Sequence, residues 1–478
     1  MGMTSIQLDR AIGSVLASAA GDALGSQYEF GPSLADDVTP RFGEGVFGHA
    51  TGEWTDDTSM AIPILDVLAR GEIIDTSTRE EIARRWIEWS RTAKDVGAQT
   101  RAVLSSVPRE FSEVDVRDAA RHVHERTGRS AGNGALMRTG PVALGYLNRP
   151  AEDLAEAARA LSELTHWESD SASACILWSA AIRHAILTGE LDMHAHLALL
   201  APADSTRWGV LIDEALGAHP REFMQSNGWV VRAFQGALAA ISGATSLVDA
   251  VERAVRGGGD TDTVAAIAGS LAGALWGGSA VPLGWKRRLH GWPECAAGDL
   301  VRQAALAARG GKPDAEGWPG ADRLAQAGYS TQGTLARHPH DDGVWIGSLG
   351  ALDRLPDEVD AVVSLCRVGA KQVPEDRVSV EVWLIDQPDR NPNLDFVLAE
   401  ASDAVASLRA EGRRVFLHCA EGRSRTAAVA ALYGARHRGI PVSTAWTDVR
   451  GVMPRFAPQE FLRDAVARIV DHRQPEEA

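Results

Sequence analysis

Apolar residues over the first two thirds of the chain recur at helical spacing. Leu8, Ile12, Val15, Leu16 and Ala19 fall on one stripe of a helix. Comparable stripes run through Ala61–Ala69, Leu154–Leu164, Ala174–Leu187 and Val264–Trp276. Strand-like alternation is scarce there, so residues 1–308 are expected to form an all-α domain. Gly269, Gly273 and Gly277 lie four apart, a spacing that lets the last of these helices approach a neighbour closely.

The pattern changes after the segment GGKPDAEGWPG, whose glycine, proline and charge are typical of linkers. Residues 309–334 are therefore expected to link two domains. Beyond them come short β-branched or aromatic runs at Val344–Ile346, Ala361–Leu365, Ser379–Leu384 and Val415–Leu417. Helical segments follow at Asn393–Arg409, Thr426–His437 and Pro458–Ile469. This alternation predicts an α/β domain with a mainly parallel sheet over residues 335–472. The chain thus reads as multidomain, and its HRQPEEA tail is expected to fray.

Composition adds exclusions. The 478 residues are 45% hydrophobic and 23% charged, enough for more than one core. A formal net charge of -16 disfavours duplex nucleic acid as a partner, though it permits a local basic pocket for a phosphorylated ligand. Four cysteines without short spacing form neither a disulfide framework nor a zinc site, which suits a reducing, cytoplasmic setting. MGMTSIQLDR lacks the pattern of a secretory leader. The small-apolar run Val264–Trp276 falls short of the about 20 residues a bilayer needs, so no membrane partner is expected.

Three acidic segments then stand out: Gly21-Asp22-Ala23-Leu24-Gly25 with Glu29 after it, Thr55-Asp56-Asp57-Thr58, and Gly257 through Thr263 with Asp260 and Asp262. Adjacent carboxylates repel, and these abut strongly apolar helices. The second or third segment alone could simply cap a helix, and Asp22, at the end of the first helix, reads either as structural or as part of the acidic site. Together, carboxylates and threonine hydroxyls without thiolates suit a hard divalent cation, and two clusters suggest a two-ion site that activates water. The loop Ser130-Ala131-Gly132-Asn133-Gly134 before ALMR is either an ordinary turn or an anion cradle. His166, in the segment THW, reads either as a core histidine or as a pocket residue.

GDALG, WTDDTSM, SAGNGALMR, THW and GGDTDTVAAIAG, in this order, resemble the ADP-ribosylglycohydrolase family, including the dinitrogenase-reductase-activating glycohydrolases. The resemblance implies an all-α domain with two Mg²⁺ or Mn²⁺ ions. It implies Thr55, Asp56, Asp57, Asp260, Asp262 and Thr263 as metal ligands, and Glu29 as the acidic residue near the scissile ribose. It further implies that Ser130, Gly132, Asn133 and Gly134 cradle the diphosphate and that His166 lines the ADP-ribose pocket. The expected partners are an ADP-ribosylated protein or small molecule, and ADP-ribose itself.

The second domain carries His418-Cys419-Ala420-Glu421-Gly422-Arg423-Ser424-Arg425-Thr426 between a strand and a helix. Such a loop turns backbone amides inward to bind phosphate, and the same field favours a thiolate at Cys419. Arg425 can grip two phosphoryl oxygens, and Thr426 can hydrogen-bond the thiolate. Asp386 is the candidate general acid, with Asp389 as the alternate. HCAEGRSRT resembles the protein-tyrosine and dual-specificity phosphatases, and the Asp-x-Pro order at Asp386 favours the dual-specificity group. The resemblance implies a phosphorylated substrate, a loop lined by His418, Gly422 and Thr426, and no cofactor. Cys366 reads as core packing, with a resolving thiol as the alternative. The whole chain reads as a bifunctional hydrolase; the alternative is an ADP-ribose reader or sensor attached to a phosphatase.

Overall fold

The computed structural model describes residues 3–324 and 333–471. The chain divides into two compact units, one comprising Met1–Val281 with Arg288–Lys312, the other Pro282–Arg287 with Pro313–Ala478.

The first unit is mostly helical and is built around two buried helices, α1 (Ser5–Gly25) and, late in the sequence, Thr261–Trp276. Thr4 opens α1 with a reciprocal cap: its hydroxyl accepts from the Gln7 amide, and the Gln7 side chain accepts from the Thr4 amide. A second helix, α2, spans Asp56–Ala69, and Thr261–Trp276 is labelled α3. Glycines let α1 and α3 touch backbone to backbone. A Cβ at Gly13 would overlap the Gly273 carbonyl, and one at Gly269 would overlap the Ala17 carbonyl. One at Gly25 would sit 2.5 Å from the Asp262 Cα. This seam draws the last turn of α1, with Asp22, against the first turn of α3, with Asp262. Gly277 differs from the other two: it lies beyond the helix with φ 89° and faces the Asp9 carboxylate.

The unit is not all-α as expected. A hairpin of two two-residue strands, β1 (His290–Gly291) and β2 (Cys295–Ala296), pairs antiparallel. Strands this short leave no alternation to read in sequence. In the same unit the helix Pro202–Ala215 buries Trp208 and Ile212.

The second unit holds a five-stranded mixed sheet. Its strands are β3 (Leu335–His338), β4 (Asp341–Ser348), β5 (Ala361–Ser364), β6 (Val378–Glu381) and β7 (Val415–Cys419), in the order β3-β4-β7-β5-β6. β3 is antiparallel to β4, and the other three pairings are parallel. On one face Leu394–Ala410, α4 (Arg425–Arg438) and Glu460–Asp471 cover Val344, Val363 and Leu417. On the other, the turn Leu349–Arg354 covers Trp345, Val362 and Phe416. Leu283, from the inserted Pro282–Arg287 piece, joins the first of these cores. A helix not read in the sequence, Val442–Val452, buries only Ala445 and Val449, too few for a clear stripe.

Part of the stretch 309–334 groups with this unit. Trp318 is buried beneath the Arg367 guanidinium, 4.4 Å from the ring centroid, and Asp314 pairs with the same arginine. The amide and carbonyl of Leu324 bond the Gln372 side chain. Residues 325–332 of that stretch, and the tail from 472, lie outside the described residues.

Candidate functional site

In the first unit Asp22 organises the acidic centre. One of its oxygens accepts from the Thr55 amide at 2.9 Å and hydroxyl at 2.8 Å. The other accepts from the Thr58 amide at 3.0 Å and hydroxyl at 2.6 Å. Four donors from one segment fix the start of α2 against the end of α1. Thr55 accordingly spends its hydroxyl on Asp22 rather than on capping α2.

Two triads of carboxylates result. Asp22, Asp57 and Asp262 each place an oxygen within 4.8 Å of the others, and so do Glu29, Asp260 and Asp262. Asp262 belongs to both. The Thr55 hydroxyl lies 3.2 Å from Asp57 and 3.4 Å from Asp262, and that of Thr263 lies 3.5 Å from Asp57. Asp56 stands at the edge, accepting from the Gly97 amide at 3.3 Å.

These residues fit a divalent centre. Asp57 Oδ1 and Glu29 Oε2 are buried without a hydrogen-bond partner, and no Lys or Arg pairs with Asp57, Asp260, Asp262 or Glu29 among the described residues. Burial first, then neighbouring carboxylates, push Asp57 and Asp262 well above the usual carboxyl range. The same causes push Asp56 to about 8 and Glu29 to about 9. Burial raises Asp22 to about 6 against its four donors. Each folded-state value lies above the unfolded one, so the protein without cation is stabilised most below about pH 4 and loses that contribution as pH rises through each folded value. In EDTA the melting temperature is expected to fall steadily from about pH 5 to about pH 9, and excess Mg²⁺ or Mn²⁺ is expected to flatten the fall. A flat profile in EDTA would contradict this account of the acidic centre.

The glycine loop is cross-braced to this centre. Asn133 Nδ2 donates to Asp260 at 2.8 Å and to the Asn227 carbonyl at 3.1 Å. Asn227 in turn accepts from the Asp260 amide and donates to the Gly258 carbonyl. The Asn133 amide is bonded to Gly228 and the Val230 amide to Ala131. His166 lies beneath the loop: a Cβ at Gly132 would stand 3.1 Å from its Nε2, and one at Gly134 3.2 Å from its Cε1. Ser130 is a brace rather than an open donor. Its amide bonds Glu168 at 2.9 Å, and its hydroxyl bonds His124 at 2.7 Å.

A cavity of about 690 Å³ meets the acidic centre at Thr55 and Asp56. Its walls include Trp54, Trp89 and Trp292, with Asp95 and Glu294 among the carboxylates and a Glu53–Lys94 ion pair. Burial and the charge of Asp260 raise the Asp95 carboxyl.

In the second unit β7 delivers Cys419, 1% exposed, to the loop that starts α4. Burial alone would raise its thiol. Arg425, the Thr426 hydroxyl and the amides of Thr426 and Arg423 outweigh burial and hold it below the ordinary thiol value. Gly422 has φ 63°, and a Cβ there would meet the Gly347 carbonyl at 2.7 Å, so only glycine fits this turn. Arg425 Nη1 is anchored on the carbonyls of Leu365 and Leu384 at 2.8 and 3.0 Å, while its Nε is buried without a hydrogen-bond partner. Asp386 accepts from the Ser424 hydroxyl at 2.7 Å and lies 3.8 Å from Arg425 Nε, whereas Asp389 is exposed. His418 does not line the loop as expected. It is fully buried, bonds the Ser364 hydroxyl at 2.8 Å and stacks on Phe416, so it braces neighbouring strands beneath Cys419.

A sequence model of the family described as ADP-ribosylglycohydrolase matches residues 3–315. The chain belongs to the ADP-ribosylglycohydrolase family. It is 31% identical to an ADP-ribosylarginine hydrolase, Tri1, from Pseudomonas putida over 59% of this chain and 74% of that protein. It is 29% identical to the ADP-ribosyl-[dinitrogen reductase] glycohydrolase of Rhodospirillum rubrum, over 59% of this chain and 90% of that protein. A weaker likeness, to a crystal structure of human DUSP28, has 23% identity and covers 30% of this chain and 95% of that one, with a TM-score of 0.27.

In this member of the family, Asp262 meets Asp57 on one side and Asp260 on the other, with the Thr55 and Thr263 hydroxyls within 3.5 Å of Asp57. Glu29 joins the second triad. Asp22, which sequence reasoning could equally assign to helix structure, is a member of the first. Asp95 and Asn227 went unread because no motif surrounds them; only tertiary contact brings them to the site. Among the described residues no helix is long and apolar enough to cross a membrane.

Proposed function

We propose that the first unit hydrolyses the bond between C1″ of ADP-ribose and an arginine side chain, releasing ADP-ribose. The convergence of two carboxylate triads on Asp262 carries this reading. Thr55, Asp56, Asp57, Asp260, Asp262 and Thr263 would hold two Mg²⁺ or Mn²⁺ ions, while Asp22, its oxygens taken up by four donors, would fix Thr55 and the start of α2 beside them. Bound there, such ions supply a water of lowered pKa and neutralise the acidic centre. Glu29, with one buried, unpartnered oxygen beside Asp260 and Asp262, is the carboxyl positioned to move a proton at the scissile ribose. Asn133 holds Asp260 and the glycine loop in one register, so diphosphate and ribose are located relative to the acids.

The cavity favours arginine as acceptor. The partly exposed Trp292 ring together with the Asp95 and Glu294 carboxylates suits a guanidinium, and the related Tri1 proteins are named ADP-ribosylarginine hydrolases. Release from an arginine-linked ADP-ribosyl peptide is expected to exceed release from a serine-linked one. Trp292→Ala should raise KM for the arginine-linked peptide several-fold while leaving the Kd for free ADP-ribose unchanged. Faster release from the serine-linked peptide would overturn the acceptor assignment.

For the second unit we propose phosphate monoester hydrolysis. The Cys419 thiolate attacks phosphorus, the P–S bond forms, and the P–O ester bond breaks as Asp386 gives its proton to the leaving oxygen. Water then attacks the cysteinyl phosphate, passing a proton back to Asp386 and restoring the thiolate. The lowered Cys419 thiol beside an anchored Arg425 supports this reading.

A further inference from the structure

We propose that Arg138 and Thr165 are positioning residues that fix His166 in the tautomer protonated on Nε2, so that it offers a neutral N–H donor to an anionic oxygen of the ligand at the Gly132–Gly134 loop. This rests on the reading that the loop receives ADP-ribose.

The chain of hydrogen bonds has a direction. Arg138 is fully buried, its guanidinium 4.0 Å from the Trp86 ring centroid, and no carboxylate bonds it among the described residues. A guanidinium only donates, so the 2.6 Å contact from its Nη2 to the Thr165 hydroxyl makes that oxygen an acceptor. Thr165 is itself fully buried, and its hydroxyl proton needs an acceptor too. Among the described residues the acceptor in reach is His166 Nδ1 at 2.7 Å. If Nδ1 instead carried the proton, it would donate to the same oxygen and leave the buried hydroxyl proton without an acceptor. The relay therefore runs from Arg138 to Thr165 to His166 Nδ1, and the imidazole proton sits on Nε2.

Nε2 is the nitrogen at the loop. It lies 3.1 and 3.3 Å from where Cβ atoms would stand on Gly132 and Gly134, so the two glycines leave open the space beside it. Burial, then the nearby Arg138 charge, hold His166 well below the ordinary imidazole range, which keeps the ring neutral. A neutral donor can hold a diphosphate oxygen without changing charge across the physiological pH range.

Long-range ¹H–¹⁵N NMR of the histidine-labelled full chain, with His166 assigned by comparison with His166→Asn, reads the tautomer directly. The wild type is expected to show protonated Nε2 and bare Nδ1, with and without ADP-ribose. Thr165→Ser keeps the hydroxyl and is expected to retain both this pattern and the ADP-ribose Kd within about twofold. Thr165→Val is expected to populate the other tautomer and weaken ADP-ribose binding about tenfold, the scale of one hydrogen bond. Protonated Nδ1 in the wild type, or a folded Thr165→Val protein that binds ADP-ribose like the wild type, overturns the relay. If Thr165→Val does not fold, the wild-type spectrum and the serine variant decide. A wrong tautomer in an active hydrolase sinks the relay alone; the expected tautomer in a protein that releases no ADP-ribose sinks the functional reading alone.

Discussion

Asp262→Asn is expected to reduce ADP-ribose release at least about a thousandfold, about 4 kcal/mol of transition-state stabilisation. Asp262 is the one residue common to both carboxylate triads and is 2% exposed, so no other side chain can replace its oxygens at both. The substitution keeps the shape of the side chain and the oxygen that accepts from the Thr263 amide at 2.9 Å. It removes one charge from beside Asp57, Glu29, Asp260 and Asp22, whose charges, after burial, raise the Asp262 carboxyl. The variant without cation is therefore expected to melt no lower than the wild type in EDTA, because like-charge repulsion falls. Added Mg²⁺ or Mn²⁺ should raise the melting temperature of the wild type and not of the variant, since a ligand stabilises only a state that binds it. A variant that melts far below the wild type in EDTA would show that Asp262 holds the fold rather than cations.

Cys419→Ser is expected to lower phosphate release at least about a thousandfold while leaving ADP-ribose release unchanged. The loop that holds the thiol below its ordinary value cannot bring a serine hydroxyl near ionisation at neutral pH. Asp386→Asn gives a second, graded signature. It should slow hydrolysis of alkyl phosphates strongly and of p-nitrophenyl phosphate weakly, because a good leaving group needs little protonation. Equal slowing on both substrates would assign Asp386 to positioning Ser424 and Arg425, its two neighbours at the loop.

The sequence made the elements legible where pattern is local. The stripe Val264–Trp276 became Thr261–Trp276, and the run Val415–Leu417 became Val415–Cys419. The acidic segments were legible because adjacent carboxylates beside apolar helices have few other uses. Asp22 was ambiguous because it sits within a continuous helix, and its partners arrive only through the glycine seam and the fold of Thr55–Thr58. Ser130 and His418 were over-read for the converse reason. Each has the right chemistry in the right motif, but His124 with Glu168 takes up the first and Ser364 the second. The hairpin at His290–Ala296 contributes to the cavity wall yet has too few residues per strand to show a period. Arg138 shows the same limit: its position in ALMR gives no sign that it is buried over Trp86 and bonded to Thr165.

The most direct test of the account is ADP-ribose release from an arginine-linked ADP-ribosyl peptide by the purified full chain, measured with Mg²⁺, with Mn²⁺ and with EDTA. The account predicts release with at least one of the cations, none in EDTA, recovery when cation is restored, and no release by Asp262→Asn under any condition. Release undiminished in EDTA, or none with either cation from a protein that still binds ADP-ribose, would contradict it.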